Sequence, residues 1–375
     1  MRIAIVHYAA SPVIGGVERV IEQQAKVLSD HGHKVIVICG NEGAAVATAE
    51  MRILPGLKAN VALDEVKGDQ LFKDLAGALT EADVVLVHNM LTMPFNWAAS
   101  SALAGLSRDL PEVRFVNWIH DVDVLREAFT ALDARVVHVA VSEVRRQYFS
   151  ERLGVPVPEC RLIPNGVEVT EALGLTPSVA RFVQRTEVLD RELVLVHPTR
   201  VLARKNIEMG LAITAALRDA GCDVAYVVTG APDPHRKESA AYADQIAETL
   251  SQFGLEDRVH FLSRDFSVTN ADVASLYRLA DALIFPSRSE GFGLPLVEAA
   301  LHRLPVFCSD IPPHREVAGD FAVFFDLASP PAEVARLVLK SVRSDHCSTV
   351  RKTVMRRFGW KHIFKEYLEP LIKER

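Results

Sequence analysis

Residues 281–298 read Asp-Ala-Leu-Ile-Phe-Pro-Ser-Arg-Ser-Glu-Gly-Phe-Gly-Leu-Pro-Leu-Val-Glu. The apolar run at 281–285 has the composition of a short strand buried on both faces. Gly291 and Gly293 let the next loop bring its backbone close to a ligand, and Pro295 suits the first turn of a helix. Strand, loop and helix in this order put the loop at a strand's carboxyl end, where open α/β sheets bind ligands. Its bare amides and the positive helix end favour an anion, and Glu290 and Glu298 flank the turn as carboxylates. The expected ligand carries a phosphate and several hydroxyls. Taken alone, the segment also fits a surface turn in which Glu298 only complements a helix dipole.

Working outward, short apolar runs alternate with helical patterns along the chain. Strands are expected at 3–7, 35–39, 84–87, 113–118 and 136–141, with Val17, Val20, Ile21, Val27 and Leu28 spaced for one helix face. After Ile163-Pro-Asn-Gly166 the rhythm breaks. A second series follows, with strands expected at 193–197, 224–229, 259–262, 283–285, 306–308 and 322–325 and helices at 207–220 and 242–253. Such alternation implies βαβ units and parallel sheets covered on both faces. The fold class is α/β, with two Rossmann-like, doubly wound parallel-sheet domains facing each other across a cleft. We assign 1–166 to an N-terminal domain, 167–190 to a linker, 191–350 to a C-terminal domain and 351–375 to a helical tail.

With 375 residues the chain can build two cores. A formal charge of −6 argues against nucleic acid as a partner, which would need a basic footprint. The five cysteines are scattered and lack metal-type spacing, which suggests neither a disulfide framework nor a zinc site and fits a reducing cytosol. The N-terminus enters a strand pattern at once, and no segment reads as a signal peptide or membrane helix. The expected location is cytoplasmic, at most peripheral on the cytoplasmic face of a membrane.

Three further segments offer chemistry. Gly15-Gly16 lies between the first strand and its helix, where a glycine pair permits close approach to a phosphate or sugar. A turn needed only for packing explains the pair equally well, and the third glycine of a dinucleotide fingerprint is missing. Arg200 falls just past a strand end and Lys205 just before a helix, so together they can neutralise a diphosphate. Taken alone, two solvated loop cations would be the commoner outcome. His120 follows the run 113–118 and can act as hydrogen-bond partner or proton donor, or serve only as a cap. Asp121-Val-Asp123 spells a metal motif, but that motif belongs to a single-sheet fold, so no metal is expected.

Taken together, these segments resemble GT-B-fold retaining glycosyltransferases of the family-4 type (glycosyl transferases group 1). The resemblance covers nearly the whole chain: Gly15-Gly16, His120, Ser142, Ile163-Pro-Asn-Gly-Val167, Arg200 with Lys205, and Glu290 through Glu298. Its most specific part is the glutamate pair within Ser-Glu-Gly-Phe-Gly-Leu-Pro-Leu-Val-Glu. By resemblance Arg200 and Lys205 bind and stabilise the leaving diphosphate, Glu290 contacts the transferred sugar, and Glu298 holds ribose hydroxyls. Gly291, Phe292, Gly293 and Leu294 are implied as substrate-binding, Gly15 and Gly16 as lying near the phosphate or acceptor, and His120 as contacting an outer sugar hydroxyl. The tail helix is implied to cross back to the first domain. One departure stands out: Arg303 occupies a position where the family commonly has glycine after the motif helix.

The implied activity is transfer of a hexose, mannose or glucose, from a nucleoside-diphosphate sugar to a hydroxyl of a sugar, glycan or glycolipid. The resemblance further implies retention of configuration and no metal cofactor. A sugar-nucleotide epimerase shares this architecture but would convert donor without an acceptor. A non-catalytic nucleotide-sugar-binding protein would have no need of Glu290, His120 and both cations.

Overall fold

A computed structural model of the protein describes residues 1–60, 68–93, 95–122, 133–230 and 237–374. Among these, seven strands form one sheet: β1 (Arg2–Val6), β2 (Lys34–Cys39), β3 (Glu50–Ile53), β4 (Val84–His88), β5 (Arg114–Ile119), β6 (Val137–Ala140) and β7 (Cys160–Leu162), in the order β3-β2-β1-β4-β5-β6-β7. Six more form a second: β8 (Leu193–His197), β9 (Val224–Val228), β10 (Val259–Phe261), β11 (Ala282–Phe285), β12 (Val306–Ser309) and β13 (Ala322–Phe325), in the order β10-β9-β8-β11-β12-β13. The strand pairs are parallel throughout. The central strands β4, β8, β9 and β11 are buried along their whole length, which is why they are continuous apolar runs rather than alternating ones. Each sheet grows first to one side of its opening strand and then to the other. The order therefore reverses between β1 and β4 and between β8 and β11, the switch points of a doubly wound fold.

The chain divides into two units, residues 1–168 with 357–375, and residues 169–356. In the first unit, Trp360, Ile363, Phe364, Leu368, Leu371 and Ile372 share a buried cluster with Ile3, Ile5 and Trp118. The Trp360 indole donates to Gln23 Oε1 at 2.8 Å and lies on Gly166, where a methyl group would sit 2.4 Å from the ring. Glycine is thus required at 166 for close approach. Among the described residues no helix is long and apolar enough to cross a membrane.

The segment expected as a linker, 167–190, is instead packed. Helix Pro177–Thr186, capped by Thr176, buries Val179, Phe182 and Val183 in the core of the second unit. Its proline at the first helical position and its apolar spacing are helix signals that the absence of a strand rhythm obscured. Strands β3 and β7 were also missed. Both lie at edges of their sheet and are short; β3 is half-exposed along its length and β7 has only Cys160 buried, so neither carries the apolar run that marks the inner strands.

Arg303 adopts a left-handed backbone with φ of 59°. Its N–H reaches Ala300 O at 2.9 Å, and Leu304 N–H reaches Ala299 O at 3.0 Å, the paired bonds of a Schellman motif closing helix Leu294–Leu301. The motif is kept although its usual glycine is absent, at a cost of roughly 1 kcal/mol.

Candidate active site

In the second unit, β8 and β11 are neighbours at the switch point, and their following loops are stitched together. The Arg288 amide donates to Arg204 O at 2.7 Å, the Arg204 guanidinium to Ser289 O at 3.1 Å, and the Asn206 side-chain amide to Pro286 O at 3.0 Å. Asn206 precedes helix Ile207–Asp219 in a left-handed conformation, φ 55°, that asparagine tolerates better than most side chains, and its side chain bonds Pro286 O and Arg288 rather than the helix end. These bonds carry Lys205 to Glu290. The Lys205 ammonium pairs with Glu290 Oε1, the Ser287 hydroxyl donates to the same oxygen at 2.7 Å, and Arg204 reaches Oε2 at 3.1 Å.

The Lys205 and Glu290 side chains are only 12% and 8% exposed. Burial pushes the Lys205 ammonium below its ordinary value, with Glu290 opposing the shift. Burial alone would raise the Glu290 carboxyl, but hydrogen bonds from Lys205 and Ser287 outweigh it and hold the group below the usual carboxylate range. The Ser287 and Arg204 bonds hold the pair in place. The ammonium also lies 5.1 Å from the centre of the Phe285 ring.

A cavity of about 480 Å³ opens at the carboxyl edge of the same sheet. Arg200, Thr229, Gly230, Tyr277, Glu298 and His302 are among its lining residues. Gly230 ends the run after β9; a methyl there would lie 2.0 Å from Thr199 O, so only glycine lets the Arg200 loop settle against it. Arg200 is exposed on the cavity wall, and its charge, after that of Arg204, also lowers the Lys205 ammonium. Glu298 is oriented by the buried Tyr277, whose hydroxyl donates to Oε2 at 2.8 Å. His302 stacks on that tyrosine with ring centres 5.6 Å apart. Gly293 starts the motif helix with φ of 95°, a conformation open to glycine; Gly291, Phe292 and Leu294 are exposed around it.

In the first unit, Gly15 precedes helix Gly16–Asp30 in extended conformation, and a side chain at 15 would overlap the Glu18 carboxylate. A methyl on Gly16 would meet no atom within 4 Å. His7, just beyond β1, donates from Nδ1 to His88 O at 2.8 Å and sits 3.9 Å from Glu18. His120 follows β5; its backbone amide and that of Asp121 both donate to Asn89 Oδ1, at 2.8 and 3.0 Å. Burial and the neighbouring His7 push the His120 ring down to about 3, so it is neutral at pH 7. Asp121 pairs with Arg145 at 2.9 Å, and Asp123 lies outside the described residues. Ser142 caps helix Glu143–Leu153.

Several site residues escaped the sequence reading: Arg204, Ser287, Tyr277, Asn89 and His88. A signal for the last was present. Strands β1, β4 and β8 spell Ile-Ala-Ile-Val-His7, Val-Val-Leu-Val-His88 and Leu-Val-Leu-Val-His197, an apolar run closed by a histidine at the functional edge. Tyr277 and Ser287 carry no comparable mark, because their role depends on a partner distant in sequence.

Two family models agree with this layout. Residues 14–171 match the family model described as Glycosyltransferase Family 4, and residues 180–345 match that of Glycosyl transferases group 1. Mannosylglucosylglycerate synthase of Thermotoga maritima is 22% identical over 370 residues, covering 84% of this chain and 83% of that protein. Serotype-specific mannosyltransferase WbdA of Escherichia coli is 43% identical over 72 residues, 19% of this chain; the match spans only 9% of that longer protein. The Anabaena protein HepE, solved in complex with UDP and glucose, covers 100% of both chains at 19% identity and a TM-score of 0.41. Each family model falls on one run of parallel strands and its site loops, and together they take in most of the sequence: the chain belongs to the group 1 glycosyl transferases, built on the GT-B plan of two Rossmann-like units.

Proposed function

We propose that the protein is a retaining, metal-independent hexosyltransferase that moves mannose or glucose from a nucleoside-diphosphate sugar to a hydroxyl of a sugar, glycan or glycolipid. The observation that carries this reading is the Lys205–Glu290 pair on the loops after neighbouring strands β8 and β11, with Arg200 and Glu298 lining a cavity at the same sheet edge. Arg200 and Lys205 are assigned to the diphosphate, Glu298 to the ribose, Glu290 and the 291–293 amides to the transferred sugar, and His120 to a sugar hydroxyl. Mannose is favoured by the relatives in Thermotoga and Escherichia coli, a mannosylglucosylglycerate synthase and a mannosyltransferase by name. The acceptor is assigned to the first unit with Gly15 and Gly16, and the work to the cytoplasm, peripherally at a membrane where the acceptor is a glycolipid.

As the bond from the anomeric carbon to the diphosphate breaks, its electron pair passes to the diphosphate, whose growing charge the two cations stabilise. The acceptor oxygen bonds to the anomeric carbon from the same face and gives its proton to a phosphate oxygen. The cations supply the charge that a metal would otherwise bring. A thermal-shift screen of GDP- and UDP-sugars tests the reading, since a donor at a hundred times its dissociation constant stabilises by about 2.7 kcal/mol. No shift with any nucleotide sugar would contradict it.

A further inference from the structure

Helix Gly16–Asp30 buries two amides, Gln23 and Gln24, on an otherwise apolar face. Gln23 is accounted for by the Trp360 indole. Gln24 serves a different chain. Its carbonyl oxygen lies 3.0 Å from His88 Nε2; His88 Nδ1 lies 2.9 Å from His120 Nε2; and His120 Nδ1 lies 3.5 Å from the side-chain nitrogen of Asn165. Gln24 and His88 are wholly buried, and the Trp118 ring lies 5.6 Å from the His88 ring, centre to centre, with 19° between their planes.

Each contact needs one proton, and a neutral imidazole carries one. With the Gln24 oxygen facing the ring, and the Gln24 amide nitrogen turned away with no partner among the described residues, His88 holds its proton on Nε2 and its Nδ1 is bare; the opposite amide orientation would reverse every link. The bare nitrogen accepts from His120, which therefore carries its proton on Nε2. Nδ1 of His120 is left as a lone pair, and it faces the donating amide of Asn165. Every link is consistent with the next. Burial, with His120 and His7 as neighbours, also keeps His88 neutral. The charged and titratable groups around the chain are His7 with Glu18 on one side and Asp121 with Arg145 on the other.

We propose that Gln24 and His88 are positioning residues that fix the tautomer of His120, so that its bare Nδ1 receives a sugar hydroxyl and rejects a carboxylate at that position. The proposal rests on the assignment of His120 to a sugar hydroxyl. A hydroxyl can donate to the lone pair in place of Asn165, whereas a carboxylate offers only lone pairs of its own. The substrate sugar is then a neutral hexose and not a hexuronate.

The test begins with the full chain carrying 15N-histidine, whose two-bond proton–nitrogen correlations distinguish the tautomers. His120 protonated at Nε2 is expected; a proton on Nδ1 overturns the proposal, and this readout needs no variant and no substrate. Gln24→Leu removes the acceptor and should give a mixture of His120 tautomers, which Gln24→Glu, with an accepting oxygen restored, should bring back to one. An unchanged tautomer in Gln24→Leu overturns the role of Gln24. Turnover of UDP-glucose against UDP-glucuronate, and of GDP-mannose against GDP-mannuronate, should favour the hexose by about tenfold or more, with the margin reduced in Gln24→Leu. Equal use of the hexuronate overturns the specificity. Correct tautomers with no transfer from any nucleotide sugar would contradict the assigned function and not the relay.

Discussion

The Lys205 ammonium rests on the Glu290 carboxylate, each carried by a loop that follows one of two neighbouring strands at the sheet's switch point. On the proposed assignment to a diphosphate, the pair holds a cation in place without a search through side-chain rotamers. Catalysis by charge gains from such preorganisation, because nothing must reorient as the leaving group develops charge.

Lys205→Ala and Arg200→Ala should therefore each lower kcat by about a hundredfold or more, the usual cost of removing one group aimed at developing charge. Steady-state kinetics check this. Near-normal turnover in both variants would remove the cations from the mechanism.

Glu298 is held by Tyr277 through a 2.8 Å hydrogen bond and is assigned to the ribose, whose contacts are much the same in ground and transition states. Glu298→Ala should weaken donor binding while leaving kcat at saturation largely unchanged, and Tyr277→Phe should act in the same direction with smaller effect. Calorimetric titration with the donor, set beside kcat, separates affinity from turnover. Unchanged affinity with collapsed turnover would show that the roles of Glu290 and Glu298 are interchanged.

Arg303→Gly should stabilise the protein by up to about 1 kcal/mol, since glycine relieves the left-handed strain but loses more freedom on folding. Urea unfolding measures it, with an unchanged kcat. A destabilised variant would mean that the arginine side chain supplies more than its backbone costs.

The buried histidines set a pH limit. Burial lowers His120 and His197 to about 3 and His138 to about 4, from 6.5 in the unfolded chain. Below pH 6.5 the unfolded chain therefore takes up protons that the folded protein refuses. The stability contributed is complete above pH 6.5 and is lost as pH falls towards 4 and then 3, at up to about 1.4 kcal/mol per pH unit for each ring. Urea unfolding at pH 7.5, 6.5 and 5.0 should show little change over the first step and a clear loss over the second. A flat profile down to pH 5.0 would contradict the neutral buried rings.

What the sequence made legible follows from which physical signals are local. The inner strands could be read because burial on both faces demands an unbroken apolar run, as at Leu193–His197. The edge strands Glu50–Ile53 and Cys160–Leu162 could not, because an edge lacks that demand. Glycines marked the motif loop, since Gly293 takes a conformation that other residues avoid. Partners distant in sequence left no trace: Tyr277 on Glu298 and His88 on His120 depend on the fold bringing two elements together. The stretch 177–186 was misread because a helix packed on a sheet interrupts strand rhythm as completely as a linker does.

The central claim is transfer with retention, driven by protein cations in place of a metal. The most direct test is proton NMR of the product formed from an α-linked nucleotide sugar in EDTA, after a screen for a transferable acceptor. Full activity and an α-linked product are expected. Loss of activity in EDTA with rescue by manganese, or a β-linked product, would contradict it.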